Sequence, residues 1–495
     1  MNERIVFNHF YKLKHDLKRS YIISPNNGSS NIKVHQGLIS KIHPVYAMIL
    51  SFFSNPIFLD EAIENISFFL DMSKEEVKNF VLGLIGNEKF QSSKSKDGTL
   101  NSFPPNILIE EKDAFMKEVL YTPTQFVYKE LDLQHERFYS SPIGILFMVN
   151  NTCATECCYC YADKKTKPKL LPFDRIKAII KNAYEANVLE FMFTGGEVLL
   201  YKHWKELIQE LKNYNYDVPL ISTKLPIKGA DIDFINKNNI SIQVSLDSLN
   251  KTELHKILNV SLDYCEKMKQ TIVLLDQKGI SFQVATIITN YNDKIETLDE
   301  LCTFLSNFKN LRRWEIRIAF RSMYSRDEFD VIKISRESEQ KINEWIQAKQ
   351  KNTQMNILWS PSFKDDRYFN SEGGSHNFVG ARCSANYSHM VCMPDGKATI
   401  CEQMYWNPRF IIGDLSTQSI EEVWNSPRAL ELAFLKKNDF RDNSACKKCS
   451  IFDTCYAFHN KCYADVLKAY GDENWDYPDP RCIFAPSFIH DLLTH

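Results

Sequence analysis

The loop Cys153-Ala-Thr-Glu-Cys157-Cys158-Tyr159-Cys160 carries four thiols, three of them in a CxxxCxxC spacing. Three thiolates on one short loop suit a metal cluster better than a single ion. A four-iron cube held by Cys153, Cys157 and Cys160 keeps one iron open to bind a substrate or cofactor, whereas clusters that only carry electrons take four cysteines. Zinc is the competing reading. Structural zinc favours a closed set of four ligands, usually in pairs on two segments, and this loop offers no histidine partner. Cys158 lies outside the spacing and reads as a neighbouring buried thiol.

The chain has fourteen cysteines among its 495 residues. Eight of the others fall between Cys383 and Cys482, and only Cys265 and Cys302 stand apart, in helical-looking stretches where a thiol is a core residue. The N-terminus, MNERIVFNHFYKLKHDLKRSY, breaks each apolar run with a charge and has no small-residue cleavage pattern, and no apolar run reaches membrane-spanning length. A cytoplasmic location is therefore expected. Disulfides seldom persist there, so cysteines at this density are expected to ligate metal or clusters. A net charge of -2, with 44% hydrophobic and 25% charged residues, fits a folded globular chain and gives no reason to expect nucleic acid or a membrane as partner.

The elements that must position these residues fall into three regions. Residues 1–135 contain HPVYAMILSFFS, FLDEAIENISFFL, a helix opened by the capping box Ser73-x-x-Glu76, and a polar stretch from Gln91 to Asn101 leading into extended Phe103–Glu110. Three helices and a hairpin predict a winged-helix-like domain. Residues 136–352 alternate β-rich runs with amphipathic helices such as Asp174–Glu185, Trp204–Tyr214 and Glu296–Phe308. The predicted strands are Gly144–Asn150, Glu190–Thr194, Leu220–Thr223, Ile242–Leu246, Phe282–Thr289 and Trp314–Phe320. Six βα units predict an α/β fold with an incomplete (β/α)6 TIM-like barrel, whose chemistry sits on the loops after the strands. Residues 353–495 comprise a bridging segment and then, from about Gly380, a cysteine-rich domain with few long periodic runs.

CxxxCxxC after the first strand of such a barrel resembles the radical S-adenosylmethionine (SAM) superfamily. The resemblance implies a [4Fe-4S] cluster on Cys153, Cys157 and Cys160. Its open iron would chelate the amino and carboxylate groups of SAM, and reduction would yield a 5'-deoxyadenosyl radical that abstracts hydrogen. Tyr159 matches the family's aromatic position near adenine. Thr194-Gly195-Gly196-Glu197 after the second strand matches its GGE motif, expected to receive the methionine ammonium. Ser245 and Asp247 in Ser-Leu-Asp-Ser resemble a segment that contacts the cofactor's carboxylate and ribose, and Ser222-Thr223 lies on the same face. An arginine that often pairs with the carboxylate is replaced here by His255 and Lys256.

The C-terminal cysteines resemble a SPASM domain, with Gly396-x4-Cys401, Cys446-x2-Cys449-x5-Cys455, Gly413-Asp414-Leu415 and the helix Ile420-Glu-Glu-Val-Trp between the halves. A CxxC pair alone also suits a zinc knuckle; the full order favours SPASM. The resemblance implies two auxiliary [4Fe-4S] clusters. Cys383, Cys401 and Cys462 would serve the first, with Cys392 as fourth ligand, and Cys446, Cys449, Cys455 and Cys482 the second. Six residues separate Cys455 from Cys462 where the family usually has three. Glu402 follows Cys401 where sulfatase-maturing relatives place an aspartate base; its other reading is a solvated or arginine-paired carboxylate.

Together these features predict an enzyme of the peptide-maturase type, which crosslinks a ribosomally made precursor peptide through a thioether or carbon–carbon bond. The N-terminal domain would hold the peptide by adding it as a strand to a sheet edge, with DNA binding and plain packing as its other readings. Flavodoxin or ferredoxin would supply electrons. The alternatives are an anaerobic sulfatase maturase and a non-catalytic iron-sulfur carrier or regulator.

Overall fold

The computed structural model describes residues 3–24, 32–95, 98–114, 120–133, 136–324, 326–361, 383–457 and 459–492. The bridging segment from 362 to 382, with the expected start of the cysteine-rich domain near Gly380, lies outside the described residues. The chain divides into two compact units, Met1–Ser141 and Pro142–His495.

The first unit contains the three expected helices, α1 (Pro44–Ser51), α2 (Leu59–Leu70) and α3 (Lys74–Leu82). The capping box of α3 forms in full: Ser73 Oγ accepts the Glu76 N–H at 3.2 Å and Glu76 Oε2 accepts the Ser73 N–H at 3.3 Å. The strand content exceeds the expectation. Four strands precede α1, namely β1 (Arg4–Phe7), β2 (Lys12–His15), β3 (Ser20–Ile23) and β4 (Ile39–Ile42), and β5 (Ile57–Phe58) precedes α2. β6 (Gln91–Lys94) and β7 (Leu100–Phe103) form the hairpin, while β8 (Leu108–Glu110) leaves it to pair with β1. Buried charges hid the early strands from the sequence pattern. Lys14 is fully buried with its ammonium on Ser141 Oγ at 2.8 Å, and Asp16 and Arg19 form a buried ion pair at 3.2 Å. Lys14 interrupts the apolar alternation of β2, and Asp16 and Arg19 lie in the turn between β2 and β3, so a charged run hides the hairpin.

The second unit is α/β, as expected. Its strands are β9 (Gly144–Met148), β10 (Glu190–Thr194), β11 (Ile221–Thr223), β12 (Ile242–Ser245), β13 (Phe282–Ile288) and β14 (Leu311–Ile318), joined in chain order by α4 (Phe173–Glu185), α5 (Trp204–Asn213), α6 (Gly229–Lys237), α7 (Lys251–Leu258) with α8 (Tyr264–Gln277), and α9 (Ile295–Leu305). After α10 (Arg326–Ile332) and α11 (Arg336–Asn352), a further strand β15 (Ile357–Ser360), not expected from the sequence, adds in parallel to β14. Every ladder among β9–β15 is parallel, β9 with β10 and β11 through β15 in order. In the second ladder Val244, Val284 and Trp314 share a fully buried rung, whereas the neighbouring rungs on the opposite face are polar: Ser222, Gln243, Gln283 and Arg313, then Ser245, Ala285 and Glu315.

The cysteine-rich region continues the first sheet. β16 (His389–Cys392) lies parallel to β9, followed antiparallel by β17 (Lys397–Thr399) and β18 (Ile411–Asp414). The α4 guanidinium of Arg175 locks this hairpin down, donating to Leu415 O at 2.7 Å and Gln418 O at 2.8 Å. Five short helices follow: α12 (Ile420–Trp424), α13 (Pro427–Ala433), α14 (Ala445–Lys448), α15 (Phe452–Ala457) and α16 (Tyr463–Tyr470).

Candidate cofactor and cluster sites

The cysteine loop leaves β9 and is held against the end of α7, where Leu258 O accepts the Glu156 N–H and Ile257 O the Cys158 N–H, both at 2.9 Å. Cys153 is exposed, Cys157 buried and Cys160 half-buried. Thr155 Oγ1 sits 3.2 Å from Cys157 Sγ and 3.7 Å from Cys153 Sγ, so one hydroxyl ties two of the thiols together. Cys158 packs with Tyr159, Ile287 and Tyr291, and burial pushes its thiol up to about 12. Cys265 and Cys302 are buried in α8 and α9.

The Gly195-Gly196-Glu197 turn braces the start of that loop. A Cβ on Gly195 would meet Asn150 O at 2.7 Å and one on Gly196 would meet Thr152 O at 2.2 Å, so only glycine lets the two segments come this close. The Gly196 N–H donates to Asn150 O at 3.0 Å and the Glu197 N–H to Thr152 O at 2.7 Å. Those two amides are therefore engaged within the protein, and what remains at the turn to receive an ammonium is carbonyl oxygen. Glu197 itself is buried, and its carboxylate accepts the Lys224 N–H at 2.9 Å and the Leu199 N–H at 3.3 Å. Burial holds its carboxyl above the usual range.

Lys224, one residue past β11, is the cation of the site and was not singled out from the sequence. Its ammonium lies 3.7 Å from Asp247 Oδ2 and 5.4 Å from the centre of the Tyr159 ring. Burial opposes its charge, but Asp247, Cys157, Cys153 and Glu197 together hold its pKa above the ordinary lysine value. His255 and Lys256, the expected basic pair, are engaged elsewhere: His255 Nδ1 lies 2.8 Å from Val260 O, and Lys256 lies over the Tyr291 ring. The expectation for Asp247 also changes. Its side chain is fully buried, with Oδ2 accepting the Tyr159 hydroxyl at 2.6 Å and Oδ1 the Ile287 N–H at 2.9 Å, so it positions Tyr159 and Lys224 rather than reaching a ribose. Nor does it cap the next helix, which Asn250 does. Ser245 is nearly buried at the end of β12, and the exposed Ser222 accepts from Gln243 Nε2 at 2.9 Å.

Further along the chain the cysteines of the two expected sets lie close together. Burial pushes Cys401 up to about 12 and Cys383 adds to the rise, while burial, Asp465, Cys383 and Cys401 all raise Cys462. Cys446, Cys449, Cys455 and Cys482 line one cavity, which Cys383 also borders, walled by Phe440, Phe452 and other apolar groups. Cys392 joins neither set. It is fully buried in β16, its Sγ–H lies 3.6 Å from Met393 O, and the charges that act on it are Asp395, Asp414 and Arg175. Its strand pairing with Phe147 of β9 turns it into the core, which removes it as the expected fourth ligand. Glu402, Cys160 and Cys401 all act electrostatically on the buried hydroxyl of Tyr161. Burial raises the Glu402 carboxyl, and Arg317 opposes the rise.

The sequence profile of the Radical SAM superfamily matches residues 148–305, and that of SPASM, an iron-sulfur cluster-binding domain, matches residues 383–450. The chain carries a radical SAM domain and a SPASM domain. The first match spans the three-cysteine loop, the GGE turn, Lys224 and Asp247. The second includes Cys383 to Cys449 and stops before Cys455, Cys462 and Cys482, which the fold brings back to the others. Among curated proteins, the radical SAM region is similar to the sporulation killing factor maturation protein SkfB of Bacillus subtilis, 26% identical over 164 residues that make up 32% of this chain and 40% of SkfB. It is also similar to GTP 3',8-cyclase of Helicobacter pylori, 29% identical over 179 residues, 34% of this chain and 52% of that protein. The chain thus matches about half or less of the length of these relatives. In fold it resembles Streptococcus suis SuiB bound to its precursor peptide SuiA, with a TM-score of 0.65 and 17% identity over 97% of this chain and 100% of that one. SuiB bound to S-adenosylmethionine gives a TM-score of 0.61 and 16% identity over 96% and 98% of the two chains.

The side chains of this radical SAM protein fit the groups its family implies. Among the described residues no three or more His, Cys, Asp or Glu side chains converge as the ligands of a single ion, so no closed zinc tetrahedron is preformed. The cavity beside Cys446, Cys449, Cys455 and Cys482 is lined by these four thiols, enough for a four-iron cube, and by Cys383 as a fifth, whereas the loop after β9 offers three in its CxxxCxxC spacing.

Proposed function

We propose that this radical SAM/SPASM protein is a peptide maturase that abstracts hydrogen from a ribosomally made precursor peptide and forms a crosslink, a thioether or a carbon–carbon bond. The observation that carries this reading is the likeness to peptide-bound SuiB over 97% of the chain, which takes in the N-terminal unit as well as the two iron-sulfur regions. Cys153, Cys157 and Cys160 would hold the [4Fe-4S] cluster that binds SAM. Bound together, cluster and SAM supply a 5'-deoxyadenosyl radical when an electron arrives, from a flavodoxin or ferredoxin in this reading.

The chain's own residues then have distinct tasks. Lys224 meets the carboxylate of SAM, a charge-assisted contact that fixes orientation. The carbonyls of Gly195 and Gly196 receive its ammonium, and Tyr159, held by Asp247, flanks the adenine. Ser222 and Ser245 contribute hydroxyls from the polar face of the second ladder. Glu402, next to Cys401 in the chain, takes a proton from a substrate thiol or amine; its raised carboxyl pKa makes it a stronger base than a solvated glutamate. Two auxiliary clusters complete the set, one on Cys383, Cys401 and Cys462, the other on Cys446, Cys449, Cys455 and Cys482. The N-terminal unit holds the peptide. Among the described residues no helix is long and apolar enough to cross a membrane.

The test is anaerobic reconstitution followed by iron counting and assay of 5'-deoxyadenosine after reduction with SAM. Replacing Cys153, Cys157 and Cys160 by Ala should abolish that product, and its persistence would refute the mechanism. Incubation with a short peptide encoded in a neighbouring reading frame should give a mass loss of two hydrogens per crosslink.

A further inference from the structure

The ammonium of Lys461 lines the same cavity as Cys446, Cys449, Cys455 and Cys482. Its Nζ is buried without a hydrogen-bond partner. Three rings surround it, with centres 4.7 Å away at Tyr463, 5.1 Å at Phe440 and 5.8 Å at Trp475. Aromatic faces attract a cation but accept no strong hydrogen bond from it. The nearest carboxylates are committed to other groups. Asp476 is held by the Arg441 N–H at 2.9 Å and the Arg441 Nε at 3.1 Å, and Asp479 by Arg481 Nε at 2.9 Å and the Cys462 N–H at 2.8 Å.

A lysine in such a place is costly unless an anion faces it. The cavity beside it is lined by Cys446, Cys449, Cys455 and Cys482, with Cys383 as a fifth thiol at its wall, and an iron-sulfur cluster on four thiolates is both anionic and rich in sulfur acceptors. We propose that Lys461 is the charge partner of the cluster held by Cys446, Cys449, Cys455 and Cys482 and raises its reduction potential. The sign follows from charge. Reduction adds an electron to the cluster, and a fixed cation in a low-dielectric wall stabilises the more negative state. Lys461 is thus a positioning charge, which makes this cluster easier to reduce than its burial among aromatic rings alone would allow. The inference rests on the reading that these four cysteines hold a cluster.

The experiment is an EPR-monitored redox titration of the full chain after anaerobic reconstitution, with iron counted in each sample. In Lys461→Met one midpoint should move to a more negative potential while the others stay. In Lys461→Arg, which keeps the charge, it should remain close to the wild-type value. Loss of about four irons in Lys461→Met but not in Lys461→Arg would also support the proposal, since the charge would then be needed to keep the cluster. Unchanged midpoints in a fully loaded Lys461→Met, or equal shifts or equal iron loss in both variants, would overturn it. Iron content unchanged in Cys449→Ser would instead overturn the cluster assignment, and with it the role of Lys461.

Discussion

Lys224 has no counterpart in the spacing that makes the cysteine loop recognisable, yet its ammonium faces both Asp247 and the Tyr159 ring. Lys224→Met should weaken SAM binding by about 10-fold to 100-fold, the scale of one charge-assisted hydrogen bond, with iron at the loop retained; isothermal titration under anaerobic conditions measures it. Gly196→Ala puts a methyl 2.2 Å from Thr152 O, so the loop must move and the variant should lose the iron of the three-cysteine site. Cys392→Ser and Cys401→Ser separate the two kinds of C-terminal cysteine: the first should keep its full iron content and the second should lose iron. Cysteines and glycines were legible because their chemistry is rare and their spacing is rigid. Lys224 was not, since a basic residue one step past a short strand is one of 60 lysines and arginines and resembles any solvated side chain until the fold places Asp247 beneath it. Cys392 misled for the converse reason. Its residue type promised a ligand, and only the pairing of β16 with β9 reveals that it points into the core.

At the scale of elements, the barrel strands were the most legible part of the chain, and their alternation carries more information than their positions. A parallel strand covered on both faces usually reads as continuously apolar. Here Gln243, Ser245, Gln283, Glu315 and Arg317 interrupt the run at every second residue, so one face of the ladder is built for water or ligand and the other for packing. Trp314 anchors the packed face, fully buried with its indole N–H on Thr286 Oγ1 at 2.9 Å. Trp314→Ala should cost about 3–5 kcal/mol, the range for emptying an aromatic site, read as a fall in the urea midpoint of the reconstituted chain. The strands of the first unit were less legible because each is short and buried charges lie in and between them, Lys14 in β2 and Asp16 and Arg19 in the turn that follows it. β15 escaped as a run of only four residues.

At the scale of the whole molecule, the two compact units give a separable prediction. A chain reduced to residues 142–495 should still cleave SAM while its affinity for the precursor peptide falls at least about 10-fold, roughly 1.4 kcal/mol; equal affinity of the two proteins for a fluorescent peptide would refute peptide capture by the first unit. No such separation exists inside the second unit. Because β16 adds to β9 and Arg175 of α4 grips the hairpin behind it, the strand that launches the three-cysteine loop has its open flank covered by the SPASM region. A graft of a foreign SPASM domain that starts after this hairpin would keep the sheet intact, whereas one that starts before it would have to supply a matching strand or leave β9 as a bare edge, prone to pair with another chain.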